Sequence, residues 1–364
     1  MSKLFARLMF WFGCLAALVS TARSGSAADP EKAVQRIAFG SCCKQDKPQP
    51  IWDSIVELKP EMFLFIGDNI YGDSTDMEVL QAKWKQLGDQ PGYQKLKQTC
   101  PVLATWDDHD FGADDAGADY PQRKESQQLF LDFFDEPRDS PRRKQAGVYD
   151  AKVFGPADRK VQIILLDTRY HRSPLVKGYK PGEPGEGMRG IYVPNTDPTT
   201  TMLGAEQWAW LEQQLRVPAK LRIIASSIQV IPSEHGSEKW GNFPHERNRL
   251  LKLIETTRAN GVVFISGDRH LAEISRLDRP ANYPLFDVTS SSLNAPSGNI
   301  TKAGIRFMNE INSHRVGLQF FETNFGLIEI DWQLADPILR LQVRDELGQP
   351  VLQQRLSLNS LFSR

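Results

Sequence analysis

The sequence predicts a mixed α/β sandwich folded as one domain. Short apolar runs alternate with helical patterns along most of the chain, and the last runs follow one another as antiparallel strands. No stretch has the composition of a linker, and no internal repeat or low-complexity tract is present. We therefore expect residues 29–364 to form a single domain.

The elements are predicted from apolar periodicity and from the residues that begin and end each run. Asp76 is expected to be the N-cap of its helix, and Pro121 to stand in the first turn of another. Residues 173–200 are rich in Gly, Pro and Thr and are expected to form a lid or rim over a site. Strands are predicted at 34–39, 62–66, 101–105, 148–154, 161–166, 221–230, 261–266, 286–289, 326–330, 338–343 and 351–356, and helices at 50–58, 76–87, 121–134, 204–215 and 244–257.

Residues 1–28 are expected to lie outside this domain. Lys3 and Arg7 precede an apolar stretch, and small residues then offer a cleavage point after Ala28. This pattern is typical of a Sec-type signal peptide, so we expect an exported protein, periplasmic or extracellular. An uncleaved N-terminal anchor is the alternative, and no later stretch is apolar enough to span a membrane.

Charge and cysteine content narrow the class of protein further. The net charge of −1 over 364 residues gives no support for a nucleic-acid or anionic-membrane partner. Cys42, Cys43 and Cys100 remain once the leader is removed. Because that number is odd, at least one thiol of the exported protein is expected to be unpaired. Cys43 and Cys100 could form a disulfide, but the sequence leaves the connectivity open.

One motif suggests where the chemistry lies. The apolar run at 62–66 breaks into Gly67 and Asp68, as a buried parallel strand does when it delivers a carboxylate at its carboxyl end. Tyr71 follows closely enough for its phenol oxygen to reach the same ion as Asp68. Taken alone, the segment is equally well explained as a strand followed by an ordinary turn.

The pattern recurs after other predicted strands, and this recurrence favours function over coincidence. The polar residues that follow the strands are Cys42, Asp68 with Tyr71, Asp108 with His109, and Asp268 with His270. Strand ends meet at one edge of a parallel sheet, where several buried carboxylates would repel one another without a multivalent cation. Thiolate, phenolate, imidazole and carboxylate ligands together indicate a transition metal, beside a harder ion such as calcium.

The order of these motifs resembles that of the metallophosphoesterases. The variant here has Gly-Ser-Cys-Cys at 40–43, Gly-Asp-Asn-Ile-Tyr-Gly-Asp at 67–73, and Thr-Trp-Asp-Asp-His-Asp-Phe-Gly at 105–112. It continues with Leu-Asp-Thr-Arg at 166–169 and Ser-Gly-Asp-Arg-His at 266–270. As a set covering about residues 36–293, these motifs look like the alkaline phosphatase D (PhoD-like) family.

The resemblance implies a sandwich of two mixed sheets flanked by helices, with phosphomonoesterase or phosphodiesterase activity. The implied ions are iron and calcium, with zinc or manganese as the alternative. The resemblance makes Cys42 and Tyr71 iron ligands and Asp68 the residue that bridges the metals. It adds Asp108, Asp268 and His270 to the metal shell, and gives His109 a hydrogen bond to the phosphate or leaving group.

Weaker assignments complete the expected site. Arg169 is expected to make a bidentate contact with phosphate, and Asp114 is expected to add a calcium contact. Gln229 is expected to stand where the superfamily has an isolated metal-binding histidine. The leader lacks the twin-arginine motif often found in the family, which is why Sec export is expected.

These features predict a secreted, metal-dependent phosphoric ester hydrolase. No nucleophilic Ser or Cys stands in a Gly-x-Ser-x-Gly setting, so direct attack by a metal-activated water is expected. The substrate is expected to be a small phosphate ester, with phospholipid head groups among the candidates, and the protein to be a monomer. A non-catalytic cell-envelope protein that keeps a structural ion is one alternative, and an amidase or lactonase is another.

Overall fold

The computed structural model describes residues 31–178, 191–278, 280–298 and 307–363. The leader predicted at 1–28 and part of the lid predicted at 173–200 lie outside the described residues. Within them, no helix is both long enough and apolar enough to cross a membrane. The prediction that residues 29–364 form a single domain stays a prediction.

Fourteen strands and seven α-helices are described, and most match the predicted positions to within two residues. The strands are β1 (Arg36–Gly40), β2 (Met62–Ile66), β3 (Val102–Thr105), β4 (Asp150–Phe154), β5 (Val161–Leu165), β6 (Val176–Lys177), β7 (Tyr192–Val193), β8 (Leu221–Ser226), β9 (Val262–Ser266), β10 (Ala272–Leu277), β11 (Leu285–Ser290), β12 (Asn324–Asp331), β13 (Ile338–Asp345) and β14 (Pro350–Ser357). The helices are α1 (Ile51–Glu57), α2 (Met77–Gly88), α3 (Pro91–Thr99), α4 (Asp108–Phe111), α5 (Arg123–Phe133), α6 (Gly204–Leu215) and α7 (Pro244–Thr256).

Two six-stranded mixed sheets form the sandwich, as expected. The first has the order β14-β13-β12-β1-β2-β3, and the second has the order β10-β11-β9-β8-β5-β4. Strands β1, β2 and β3 pair in parallel, and so do β5, β8, β9 and β11. The remaining pairs in both sheets are antiparallel.

Side-chain alternation along the strands separates two cores. Ile37, Phe39 and Leu64 point from the first sheet into the large core shared with the second sheet. Their neighbours Ala38 and Phe63 point the other way, into a second core that contains Trp52 of α1, Trp84 of α2 and Phe130 of α5. Helices α6 and α7 contribute Trp208, Leu211, Leu250 and Ile254 to the large core. Apolar residues on both faces of the central strands therefore require helices outside the sheets.

The parallel registers align the carboxyl ends of the central strands at one edge. Gly40 pairs with Phe65, and Ile66 pairs with Thr105, so β1, β2 and β3 end side by side. In the second sheet, Ser226 pairs with Ser266 and Ser266 with Thr289 in the same way. The side chains that follow these strands therefore gather at this edge of the sandwich.

Five of these strands and helices were not predicted, namely α3, α4, β6, β7 and β10, and one strand was predicted too long. Helix α3 begins at Pro91-Gly92, which resembles a turn in sequence, and α4 is only four residues long. Strand β10 was missed although its residues alternate between apolar and polar. Strand β8 ends at Ser226 rather than at residue 230. Just after this end, the Ser226 hydroxyl donates a hydrogen bond to the Ile228 carbonyl.

Candidate metal centre

The candidate site lies at the carboxyl ends of β1, β2, β3 and β9. Cys42 stands two residues beyond β1, Asp68 two residues beyond β2, and Asp268 two residues beyond β9. Asp108 begins the short helix α4, three residues after β3. Four separate strands thus deliver polar side chains to one place, as the sequence predicts.

The backbone at these positions is strained. Cys42, Asp68, Asp268 and His270 all have positive φ angles, of 56°, 50°, 69° and 53°. Residues other than glycine rarely adopt this conformation, which persists where the surrounding structure requires it, typically at functional sites. At Gly67, with φ 110°, an added Cβ would lie 2.5 Å from the Cβ of Asp107. The strands therefore approach too closely here for any larger residue.

One group of candidate ligands consists of Cys42, Asp68 and His270, whose ligand atoms all lie within 4.8 Å of one another. The Cys42 Sγ lies 3.3 Å from Asp68 Oδ2. Tyr71 joins the group, because its phenol oxygen lies 3.3 Å from Asp68 Oδ2 and 3.5 Å from His270 Nε2. Thiol, phenol, carboxyl and imidazole groups thus converge as expected from the sequence.

A second group contains Asp68, Asp108 and His109, again with ligand atoms within 4.8 Å of one another. Asp68 belongs to both groups, as a carboxylate that bridges two ions must. Asp68 Oδ1 and Asp108 Oδ1 are buried and have no hydrogen-bond partner. Since buried carboxylate oxygens are normally bonded, these two atoms fit a pair of bound cations. The types and positions of these donor atoms therefore fit a metal centre.

His270 is held with one ring nitrogen free for a metal. Its Nδ1 lies within hydrogen-bonding distance of the Ala295 carbonyl, which makes Nδ1 the donor and leaves the lone pair on Nε2. Burial lowers the pKa of His270 to about 4, against the opposing effect of that hydrogen bond, and the charges of His109 and Lys44 add to the shift. A neutral imidazole of this kind is the form that binds metals.

His109 has the opposite character. Burial alone would lower its pKa, but the hydrogen bond with Asp73 and the charges of Asp108 and Asp68 outweigh it and raise the pKa to about 11. His109 Nδ1 lies 2.7 Å from Asp73 Oδ1, and its ring contacts that of Tyr71, with 4.3 Å between centroids and 33° between planes. The side chain remains 18% exposed, so the imidazolium faces the open side of the site.

The remaining ligands are electrostatically costly without a cation. Burial, together with neighbouring negative charges, raises the pKa of Cys42, Asp68, Tyr71 and Asp268 well above the usual values. Burial also acts to raise the pKa of Asp108, but Arg169 and His109 reverse its effect and the pKa falls below the usual range. A multivalent cation would favour the deprotonated form of every one of these ligands.

Arg169 does not face the open side of the site, contrary to the expected phosphate contact. Its side chain is fully buried, and its Nε donates to Asp107 Oδ1 over 2.6 Å. Its Nη1 lies 2.7 Å from Glu238 Oε2. The guanidinium is therefore occupied by carboxylates of the protein itself, one of which belongs to the residue next to Asp108.

The weaker assignments have different outcomes. Asp114 is 81% exposed, and its carboxylate lies 3.9 Å from His109 Nε2 at the rim of the site. Gln229 is fully buried and donates to Glu273 and Thr289, each over 2.8 Å, which places it in a separate polar group. The thiols of Cys42, Cys43 and Cys100 are free and buried, so the disulfide left open by the sequence is not formed.

A cleft of about 220 Å³ opens beside the candidate metal ligands. Its floor includes Asp108, His109, Asp268 and His270, and Tyr192 and Phe307 contribute to its walls. Tyr192 comes from the part of the predicted lid that the structure describes, and its hydroxyl donates a hydrogen bond to Asp115. The cleft is large enough for a phosphate group with a small substituent.

Sequence reasoning missed several residues that support the site. Glu238 binds both Arg169 and Arg172, the latter with 3.0 Å between Nε and Oε1, yet it lies in a loop without a recognisable pattern. Ser291 lies 3.1 Å from the Cys42 Sγ and follows β11, so the rule of strand ends could have identified it. Asp107 was adjacent to a predicted ligand, but its role became apparent only from its pairing with Arg169.

The chain matches the model of a known protein family over most of its length. The family model described as PhoD-like phosphatase matches residues 37–336, which is most of the chain. The chain belongs to the PhoD-like phosphatase family. The family resemblance inferred from the motifs is thereby confirmed.

Individual relatives are more distant. Alkaline phosphatase D of Bacillus subtilis (strain 168) is 29% identical over 140 residues, which cover 35% of this chain and 22% of that protein. The solved structure of PhoD matches 91% of this chain and 70% of its own, with a TM-score of 0.68 and 17% identity. GAP50, described as the anchor in the inner membrane complex of Plasmodium, matches 90% of this chain and 89% of its own, with a TM-score of 0.54 and 13% identity. At these identities the structural matches show the shared fold alone.

Proposed function

We propose that this protein is an exported, metal-dependent phosphoric ester hydrolase. The observation that carries the proposal is that the Asp68 carboxylate lies within 4.8 Å of the ligand atoms of Cys42 and His270 and also of Asp108, with one buried oxygen that has no hydrogen-bond partner. A site built for one structural ion has no need of two overlapping groups, whereas paired ions are typical of phosphate-ester hydrolases. Membership of the PhoD-like phosphatase family supports the same conclusion.

The six proposed metal ligands are Cys42, Asp68, Tyr71, Asp108, Asp268 and His270. Bound cations at such a site supply an activated water and neutralise charge that develops on the phosphoryl oxygens. Iron and calcium are the proposed ions because of the family resemblance, and the mixed thiol, phenol and imidazole donors suit a transition metal. Zinc or manganese is the alternative.

His109 is proposed as the proton donor to the departing oxygen. Asp73 holds Nδ1 and keeps the ring charged, so Nε2 carries the proton that faces the cleft. Donation from this nitrogen lets the alcohol leave without the cost of a bare alkoxide. Arg169 is now proposed as a positioning residue, because its buried guanidinium fixes Asp107 beside the ligand Asp108.

The proposed substrates are small phosphate monoesters or diesters, with phospholipid head groups included. The cleft volume of about 220 Å³ agrees with a small reacting group, while the rest of a larger substrate would extend outward. Export by the leader at 1–28 and a monomeric state belong to the same proposal, and its composition gives no reason to add a nucleic-acid partner.

A variant of Asp68 tests this function. Asp68→Asn keeps the size of the side chain but removes the charge that both ligand groups share. We expect hydrolysis of 4-nitrophenyl phosphate and of its bis-ester to fall by at least about a thousandfold while circular dichroism stays unchanged. The matched control is Asp46→Asn, an exposed carboxylate four residues after Cys42, which should retain full activity.

Each alternative function predicts a different result. A wild-type protein that binds metal but hydrolyses neither ester would favour a non-catalytic binding protein. Hydrolysis of an amide or lactone substrate, with no phosphatase activity, would favour a different metal hydrolase. Full activity in Asp68→Asn would exclude Asp68 as the bridging ligand.

A further inference from the structure

The cationic side chains near the metal centre are mostly paired with carboxylates of the protein. Arg169 is bound to Asp107 and Glu238, and Arg172 is bound to Glu238. Arg269, which stands between the candidate ligands Asp268 and His270, is bound to Glu310 and is only 2% exposed. None of these three guanidinium groups is therefore free to bind the phosphate of a substrate.

Lys44 is different from these arginines. It follows Cys42 by two residues and is partly exposed, and among the described residues none of the ion pairs includes its ammonium group. The Nζ atom lies 4.8 Å from the centroid of the Tyr71 ring. Its long flexible stem can move the charge by several ångströms without disturbing the backbone.

The backbone of Lys44 is fixed on both sides. Its N–H donates to Asn294 Oδ1 over 2.6 Å, and its carbonyl accepts from Asn294 Nδ2 over 2.8 Å. The residue is thus held firmly at the base, while the ammonium stays free at the tip. A charged group that is held in this way is suited to binding a ligand rather than to supporting the fold.

The ammonium group of Lys44 lies next to Tyr71, one of the candidate metal ligands. The Tyr71 ring beneath it contacts the ring of His109, with 4.3 Å between centroids and 33° between planes, and the Tyr71 hydroxyl lies 3.5 Å from His270 Nε2. His109 and His270 both line the cleft. Lys44 therefore stands on the Tyr71 side of the site, outside the residues that line the cleft, and movement of its flexible stem would bring the ammonium towards a phosphate bound between these two histidines.

We infer that Lys44 is a phosphate-binding residue that favours phosphomonoesters over diesters. This inference rests on the proposed function and names the substrate class that the site prefers. A monoester above its second ionisation carries two negative charges and a diester carries one, so a free ammonium attracts the monoester more strongly. The same cation is expected to bind inorganic phosphate, the product of monoester hydrolysis.

Substitution of Lys44 tests the inference by two measurements. Lys44→Met removes the charge at similar length, Lys44→Arg retains it, and Lys47→Met is the control, at an exposed lysine of the same loop. Binding of inorganic phosphate is measured by calorimetry on the metal-loaded protein, and kcat/KM is measured for 4-nitrophenyl phosphate and its bis-ester. Metal content is determined for every variant.

We expect Lys44→Met to weaken phosphate binding about tenfold and to lower the monoester-to-diester ratio of kcat/KM by a similar factor. Lys44→Arg and Lys47→Met should stay within about twofold of the wild type. An unchanged ratio and phosphate affinity in Lys44→Met, an equal loss in Lys47→Met, or a loss of bound metal in Lys44→Met would each overturn the inference.

The calorimetric measurement separates this inference from the proposed function. If the wild type binds phosphate through Lys44 but hydrolyses no ester, the hydrolase proposal fails while the phosphate contact stands. If the wild type hydrolyses esters and Lys44→Met behaves like it, the hydrolase stands and the role of Lys44 fails. If the wild type binds no phosphate, the inference about Lys44 is wrong.

Discussion

At the scale of single residues, the site is defined by how each side chain is charged and held. His270 and His109 are both histidines next to candidate ligand carboxylates, yet burial keeps His270 neutral while Asp73 helps to keep His109 charged. The sequence could identify both residues from their motifs. It could not assign their protonation, because the burial of His270 and the contact of His109 with Asp73 arise only in the folded chain.

Asp73→Asn should alter the pH profile of hydrolysis. The hydrogen bond and charge of Asp73 help to raise the pKa of His109 to about 11, so their loss lets burial lower that pKa. A proton donor must carry its proton, and we therefore expect the alkaline limb of kcat to move to lower pH by about one unit. An alkaline limb that does not move would exclude His109 as the donor held by Asp73.

The burial and ion pairing of Arg169 could not be predicted from the sequence. A Leu-Asp-Thr-Arg segment after a strand suits a phosphate contact, but burial between Asp107 and Glu238 cannot be predicted from sequence. Glu238 comes from a distant loop, so only the folded chain reveals the pair. The guanidinium offsets the charge of carboxylates that would otherwise be buried alone.

Arg169→Met should therefore reduce stability rather than raise KM alone. Removing Arg169 leaves the buried Asp107 without its cationic partner and Glu238 with Arg172 alone, and we expect the free energy of unfolding to fall by about 3–5 kcal/mol. Urea denaturation measures this loss. Arg216→Met is the control, since it breaks an exposed pair with Glu212 and should cost less than about 1 kcal/mol. A raised KM with unchanged stability would restore the direct phosphate contact.

At the scale of the elements, strand ends and their turns place the ligands. The apolar runs of β2 and β9 break into Gly67-Asp68 and Gly267-Asp268, and such breaks were visible in the sequence. The missed elements have weaker signals: α3 starts with Pro91-Gly92, and α4 is too short to show periodicity. Prediction was therefore best where long apolar runs end abruptly.

Gly67→Ala tests whether the strand ends must approach closely. The new Cβ would lie 2.5 Å from the Cβ of Asp107, at a φ of 110°. We expect unfolding free energy to fall by about 3 kcal/mol and bound metal to be lost.

Gly317→Ala is the control for backbone strain. Gly317 also has a positive φ, of 78°, but nothing lies within 4 Å of its added Cβ. We expect it to cost about 1 kcal/mol and to keep its metal. Equal effects of the two substitutions would mean that strain alone, and not the close approach, explains the loss at Gly67.

At the scale of the whole molecule, the sandwich concentrates negative charge at one edge. The net charge of −1 gives no hint of this, because the carboxylates meet only when the strands align. The sequence nevertheless predicted the sandwich and the convergence of strand ends, since both follow from the alternation of elements. Family membership confirmed the fold class, while the ligand roles remain proposals.

This charge should make the metal-free protein less stable as pH rises. Burial and neighbouring charges raise the pKa of Asp107 to about 7 and of Asp115 to about 8. A carboxyl with a raised pKa in the folded state stabilises that state at low pH and loses this contribution as pH rises through the raised value. The opposing change at His270, whose pKa is lowered to about 4, spans about pH 4 to 6.5 and offsets only part of this loss.

We therefore expect the melting temperature of chelator-treated protein to fall as pH rises from about 4 to about 8, because these carboxyls ionise near pH 4 in the unfolded chain and only near pH 7 and 8 in the folded one. The metal-loaded protein should change less, because bound cations offset the repulsion. Differential scanning calorimetry of both forms measures the difference, which should widen with pH. A difference that is constant with pH would mean that these carboxylates do not control the stability of the metal-free form.

Shared binding of two metal ions by Asp68 is the central feature of the proposed site. Elemental analysis of the mature protein, purified without chelators or a His-tag, tests this claim directly beside Asp68→Asn. We expect about two multivalent ions per chain in the wild type, with both lost or greatly reduced in the variant. A wild type that binds no metal after incubation with excess iron and calcium, or a variant that keeps both ions, would contradict it.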